Sequence, residues 1–169
     1  MKVGIVGFGQ MGTGIAQVCA MAGYDTLVFD TNHKILEQNH SKLLDTLAGL
    51  VSKGKLRDYD LNQVRSNLHI ATELKQFADR DIVIEAVIEN PQVKAEVLKD
   101  LSLICSRNTI IASNTSSIAI TFLASHVDFP NRVIGIHFMN PVPLMKLVEI
   151  IRGLQTDDQT YELSLRFVK

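Results

Sequence analysis

His137 and Glu149 are the two side chains of this sequence best suited to moving a proton. His137 emerges where the apolar run Val133-Ile-Gly-Ile136 ends, and imidazole is the group whose charge changes near neutral pH. Glu149 sits inside Leu147-Val-Glu-Ile-Ile151, where an ionised carboxylate is costly without a partner. If Asn140-Pro-Val-Pro143 turns the chain back, the two face one another. The carboxylate then orients the imidazole and supports its charged form, as a general base requires. The spacing also admits a plainer reading, an edge strand with Glu149 in water.

A second constellation lies at the start of the chain. Val3, Ile5 and Val6 form a short apolar strand, Gly7, Gly9 and Gly12 follow as G-x-G-x-x-G, and Ile15, Val18, Cys19 and Ala22 continue at helical spacing. In this strand–turn–helix context Gly7 permits the tight turn, Gly9 admits a pyrophosphate to the backbone, and Gly12 lets helix and strand pack closely. The helix start adds free N–H groups and the positive end of its dipole. Asp30 closes a second apolar strand, Thr26–Asp30, where a ribose-binding acid is expected. The glycines alone fit any Gly-rich turn; with Asp30 they predict dinucleotide binding. Asp30 would repel a 2′-phosphate and no Arg follows it, so the cofactor expected is NAD.

These groups need a scaffold that brings them to one edge. Strands are expected at Leu68–Thr72, Asp81–Val87, Thr109–Thr115, Arg132–Phe138 and Lys146–Ile151, and helices at Thr31–Ser52, around Leu61–Leu68, at Glu73–Ala78, Gln92–Cys105 and Ile120–Val127. Asn39-His40-Ser41 interrupts the apolar stripe of the long helix, and Lys53–Arg57 reads as a basic turn. Pro91 suits a first helical position. Thr156 with Gln159 reads as a capping box before a stripe of Tyr161, Leu165 and Val168, which stops without a C-cap and suggests a trimmed chain. The pattern predicts an α/β, Rossmann-type, mainly parallel sheet with helices on both faces, a helical hairpin after strand 2 and an extra strand near the C-terminus. Ligands in such sheets bind beyond the carboxyl ends of the strands. Glu85–Asn90, Ser113–Ser117 and His137–Asn140 all fall there, beside the Gly-rich turn.

The 169 residues suit one domain, 1–169, and 46% hydrophobic with 21% charged residues is ordinary for a globular chain. A net charge of −1 argues against a nucleic-acid or membrane-surface binder, and no apolar run approaches the ~20 residues of a span. Met1 and Lys2 lead into the first strand, leaving no room for a targeting peptide; a cytoplasmic protein is expected. Cys19 and Cys105 read as buried, reduced thiols, and the five histidines form no metal cluster.

The blocks His137–Ile150 (His-Phe-Met-Asn-Pro-Val-Pro-Leu-Met-Lys-Leu-Val-Glu-Ile), Ser113–Ser117 and the opening G-x-G-x-M-G-x-G-I-A-Q resemble the NAD-binding domain of the 3-hydroxyacyl-CoA dehydrogenase family over essentially the whole chain. The resemblance implies NAD-dependent, reversible oxidation of (S)-3-hydroxyacyl-CoA, as in fatty-acid or butanoate metabolism. His137 would take the hydroxyl proton, Glu149 would be its partner, and Ser116 would bond the substrate oxygen. Gly7, Gly9, Gln10, Met11, Gly12, Asp30, Glu89, Lys94, Ser116 and Asn140 would hold the cofactor. Thr46, where the family commonly has serine, and Lys53 would meet the acyl-CoA, although a charged turn is usually just solvated. The family's helical second domain, absent after Lys169, would supply the homodimer interface and one wall of the acyl pocket. A sugar-acid (gulonate-type) dehydrogenase shares much of this motif set, and a non-catalytic NAD-binding domain would share the fold.

Overall fold

The computed structural model describes residues 1–169. Its strands are β1 (Lys2–Val6), β2 (Asp25–Phe29), β3 (Leu68–Ile70), β4 (Ile82–Glu85), β5 (Ile110–Ser113), β6 (Val133–Phe138) and β7 (Val148–Arg152). They form one seven-stranded sheet in the order β3-β2-β1-β4-β5-β6-β7. The first six strands run parallel and β7 returns antiparallel to β6, at the edge, with Glu149 directly opposite His137. Strand order reverses between β1 and β4, which opens a crevice at their carboxyl ends.

Helices α1 (Gln10–Met21), α2 (His33–Ser52), α3 (Asp58–Asn67), α4 (Pro91–Ile104), α5 (Ile120–Ala124) and α6 (Asp158–Val168) cover the sheet. Alternate strand residues feed two separate cores, as a period of two dictates. Ile5, Ile82, Ile84, Ala112, Ile134 and Ile136 pack on one face with Ile15, Leu36 and Leu47, whereas Val6, Val83, Ile111 and Val133 pack on the other with Phe77, Leu98 and Leu123. A sheet buried on both faces is what the near-continuous apolar runs require.

Helices α2 and α3 form the expected hairpin between β2 and β3, with Leu36, Leu43 and Leu47 inward. Asn39-His40-Ser41 interrupts the buried stripe of α2 but not the helix, which runs unbroken over His33–Ser52. Asn39 instead donates its amide to the Phe8 carbonyl at 2.7 Å, which ties the hairpin to the Gly-rich turn. Glu73–Ala78 is shorter than expected, a 3₁₀ turn at Leu74–Phe77. The cap of α6 lies one residue later than the sequence pattern suggests. Asp157, not Thr156, accepts the Thr160 N–H at 2.7 Å, while Thr156 donates its hydroxyl to the Val133 carbonyl at 2.6 Å. The buried stripe of α6 is accordingly Thr160, Ser164 and Phe167, flanked by the half-buried Tyr161 and Val168.

Candidate active site

The Gly-rich turn leaves β1 through Gly7, whose φ of +92° suits glycine; a Cβ there would also lie 2.7 Å from the Ala86 carbonyl. At Gly12 a Cβ would meet the Gly7 oxygen at 1.8 Å, so α1 packs this closely only without a side chain. A Cβ at Gly9 would meet nothing within 4 Å, and no acidic side chain occupies the first turn of α1. A bare, unobstructed helix start of this kind fits a pyrophosphate. Asp30 follows the end of β2 with both oxygens anchored, Oδ2 accepting from the Phe8 N–H at 2.8 Å and Oδ1 from the Asn32 N–H at 2.9 Å.

Gly7, Gly9, Gln10, Met11 and Asp30 line a cleft of 530 Å³ that runs on to the apolar Val93 and Val97 of α4. A second cleft, of 310 Å³, continues from it across Met11, Ala86 and Val87, and is lined by Glu89, Lys94, Asn114, Ser116, His137 and Asn140. Gln10 bridges the two ends by donating to the Asn140 side-chain oxygen at 3.2 Å. The combined crevice suits an elongated ligand.

His137 Nδ1 lies 2.8 Å from Glu149 Oε2, the consequence of their direct pairing across β6 and β7. With the carboxylate as acceptor, Nδ1 carries the proton and Nε2 is left with a free lone pair. Glu149 is both on an edge strand and half-exposed, as the plainer reading expected, yet its carboxylate is bound to the imidazole. Asn114 fixes the same strand end by accepting the Phe138 N–H at 2.9 Å.

Beneath the crevice lies a buried polar cluster. Glu85, fully buried at the end of β4, pairs with Lys94 Nζ at 2.7 Å and accepts from the Ser113 hydroxyl at 2.6 Å and the Val87 N–H at 2.7 Å. Lys94 Nζ also donates to the Val87 carbonyl at 3.2 Å and meets Glu89 Oε2 at 3.3 Å. Glu89 Oε1 gathers the Thr115 hydroxyl, the Ser117 hydroxyl at 3.1 Å and the Ser116 N–H at 3.2 Å. Burial works to raise the Glu89 pKa, but these hydrogen bonds and the Lys94 charge hold its carboxyl below the usual carboxylate range.

Comparison with known proteins agrees with this fold. Residues 2–169 match the family model described as 3-hydroxyacyl-CoA dehydrogenase, NAD binding domain. The chain belongs to this family. It is 49% identical over 160 residues to a probable 3-hydroxybutyryl-CoA dehydrogenase of Deinococcus radiodurans, covering 95% of this chain and 57% of that protein. It is 46% identical over 167 residues to the 3-hydroxybutyryl-CoA dehydrogenase of Bradyrhizobium diazoefficiens, covering 99% and 57%. The crystal structure of (S)-3-hydroxybutyryl-CoA dehydrogenase from Ralstonia eutropha superposes with a TM-score of 0.94 at 42% identity, over 99% of this chain and 59% of that one. The chain thus spans a little over half the length of these relatives.

Within this 3-hydroxyacyl-CoA dehydrogenase domain the remaining expected residues separate. Thr46 lines a third cleft, of 500 Å³, with Gln10, Thr13, Asn39 and Lys42, and its hydroxyl donates to the Lys42 carbonyl at 2.7 Å. Lys53 follows the end of α2, exposed, and lines none of the three clefts. A fourth hollow, of 340 Å³, lies at the amino ends of the strands between Arg80, Arg132 and Phe167 and touches none of these residues. Sequence reasoning assigned no role to Glu85, Asn114 or Asn39. Glu85 had a readable signal, a charge inside the apolar run Ile82–Val87 with Lys94 nine positions on. Asn114 and Asn39 had none, because their partners are backbone groups distant in sequence.

No group of His, Cys, Asp and Glu side chains is placed to hold a metal ion, and no helix is long and apolar enough to cross a membrane. Burial pushes the Cys19 thiol up to about 12, and the half-buried Cys105 thiol up to about 11, so neither is a thiolate nucleophile at neutral pH.

Proposed function

We propose that this chain is the cofactor-binding part of an NAD-dependent 3-hydroxyacyl-CoA dehydrogenase that oxidises (S)-3-hydroxyacyl-CoA, with 3-hydroxybutyryl-CoA as the type of substrate, reversibly to the 3-oxoacyl-CoA. The observation that carries the reading is the His137–Glu149 pair, held at 2.8 Å beside a crevice continuous with the Gly-rich turn.

Gly7, Gly9, Gln10, Met11 and Gly12 hold the pyrophosphate end of NAD, and Asp30 holds the adenosine ribose. Glu89, Lys94, Ser116 and Asn140 line the nicotinamide end. The cofactor, when bound, supplies the acceptor for the hydride that leaves C3 of the substrate. His137 Nε2 takes the proton of the 3-hydroxyl, and Glu149 holds the ring in the tautomer that leaves Nε2 free and stabilises the imidazolium that results. In the reverse direction the same Nε2 returns the proton. Ser116 donates a hydrogen bond to the substrate oxygen. The acyl-CoA lies towards α2, with Thr46 and Lys53 as its contacts.

The native enzyme is a cytoplasmic homodimer assembled through a helical second domain. Leu144, Met145 and Leu147, exposed beside the His137 strand, are apolar surface of the kind such a domain covers.

The test is acetoacetyl-CoA reduction by the full-length enzyme, followed by loss of NADH absorbance. His137→Ala is expected to lower kcat by about 10²–10⁴-fold with NADH affinity unchanged. An unchanged rate would make the domain non-catalytic. Activity with a free hydroxy acid but not the acyl-CoA would favour the sugar-acid reading.

A further inference from the structure

The cluster under the nicotinamide end does not balance its charges. The titratable side chains lining that cleft are Glu89, Lys94 and His137, with Glu149 behind the imidazole. Lys94 is 2% exposed, and its three ammonium protons have three protein acceptors, Glu85 Oε1, the Val87 carbonyl and Glu89 Oε2. It therefore has no donor free for a phosphate, and it serves as counter-ion to two carboxylates at once. Glu85 is sealed from solvent, whereas the Glu89 side chain is 41% exposed and faces the cleft. The three groups carry one negative charge more than positive. The partial positive charge at the start of α4 is answered by Asn90, whose side-chain oxygen takes the Gln92 and Val93 N–H groups at 3.0 and 3.1 Å.

We propose that the surplus charge of the Glu85–Lys94–Glu89 cluster makes this site sense the redox state of its cofactor, raising the affinity for the cationic nicotinamide of NAD⁺ relative to that for the neutral ring of NADH. The inference rests on the dinucleotide reading above and adds to it a thermodynamic bias. A bias of this sign favours loading of the oxidised form for alcohol oxidation and release of the reduced product. A unit charge some 6 Å away, at the effective dielectric of a half-exposed site, changes an affinity by about three- to tenfold. Glu89 is the residue through which the charge is felt, because it alone of the two carboxylates borders the cleft.

Glu89→Gln tests this, since the amide oxygen still accepts from Thr115, Ser116 and Ser117 while the charge is lost, together with the Oε2 acceptor of Lys94. Kd values for NAD⁺ and NADH are measured by calorimetry on the chain and on the variant. The expected result is a Kd(NADH)/Kd(NAD⁺) ratio lowered about three- to tenfold, almost wholly through weaker NAD⁺ binding. Glu85→Gln, which leaves Lys94 and Glu89 as a neutral pair, is expected to move the ratio the same way. Equal weakening of both forms, or an unchanged ratio, would reduce the cluster to a structural support and overturn the proposal. Failure of the unaltered chain to bind either form would overturn the dinucleotide reading itself, and this inference with it.

Discussion

Asp30 shows how the fold fixes a side chain in advance for the ligand role proposed for it. Its two oxygens accept backbone N–H groups from Phe8 and Asn32, so the carboxylate is held in place before any ligand arrives. A preorganised anion at the ribose end would exclude a 2′-phosphate by repulsion. Asp30→Asn is expected to narrow the preference for NADH over NADPH about tenfold, an effect of ~1.4 kcal/mol. Fluorescence titration with both dinucleotides checks this; an unaltered preference would move the selectivity elsewhere. His137 and Glu149 form a comparable unit, in which the proposed role of the carboxylate is exerted only through the ring it contacts.

Among the elements, β7 and α6 decide the most. The antiparallel return of β7 places Glu149 opposite His137, and a slip of one residue would turn its side chain to the other face of the sheet. Helix α6 is started by Asp157, which also accepts from Asn131 at 2.8 Å. Partial burial works to raise its pKa, but the Thr160 and Asn131 hydrogen bonds and the Arg132 charge hold the carboxyl below the usual range. A depressed folded pKa means stability that is complete above the unfolded value and lost as pH falls through the folded one. Asp157→Ala is therefore expected to cost about 0.5–2 kcal/mol at pH 7, towards the lower end because the group is a third exposed. The difference from the unaltered chain should close as pH falls below ~4. Urea midpoints across that range give the measurement, and a pH-independent difference would show that the cap acts without its charge.

For the molecule as a whole, the crevice at the reversal of strand order joins both halves of the sheet. The Gly-rich turn comes from the β1 side, and the Ser116 loop and His137 come from the far side. A ligand spanning it binds only the folded state. NADH at a hundred times its Kd is expected to add ~2.7 kcal/mol to stability and raise Tm by about 5–10 °C. Differential scanning fluorimetry with NADH reads this, and no shift at saturating ligand would deny the site. Turnover is a separate matter. If the proposed helical domain covers the exposed Leu144, Met145 and Leu147, joining it to these 169 residues should raise acetoacetyl-CoA reduction far above that of the 169 residues alone while leaving cofactor binding alike.

Much of this was readable along the chain because it rests on local physics. The Gly7–Gly12 turn, Asp30 at the end of β2 and the apolar strand runs declare themselves through spacing and period, and so did the α2–α3 hairpin. Element ends were less legible: Thr156 and Asp157 are both good caps, and only the Val133 carbonyl, which claims the Thr156 hydroxyl, settles which one starts α6. For His137 and Glu149 the spacing left two arrangements open, and the register of β6 with β7 selects the paired one. The Glu85–Lys94–Glu89 cluster, the Asn39 tether and the Asn114 bond to Phe138 belong entirely to the folded molecule. Periodicity records which way a side chain faces. Which polar atom it finds there depends on the packing of elements far apart in the chain.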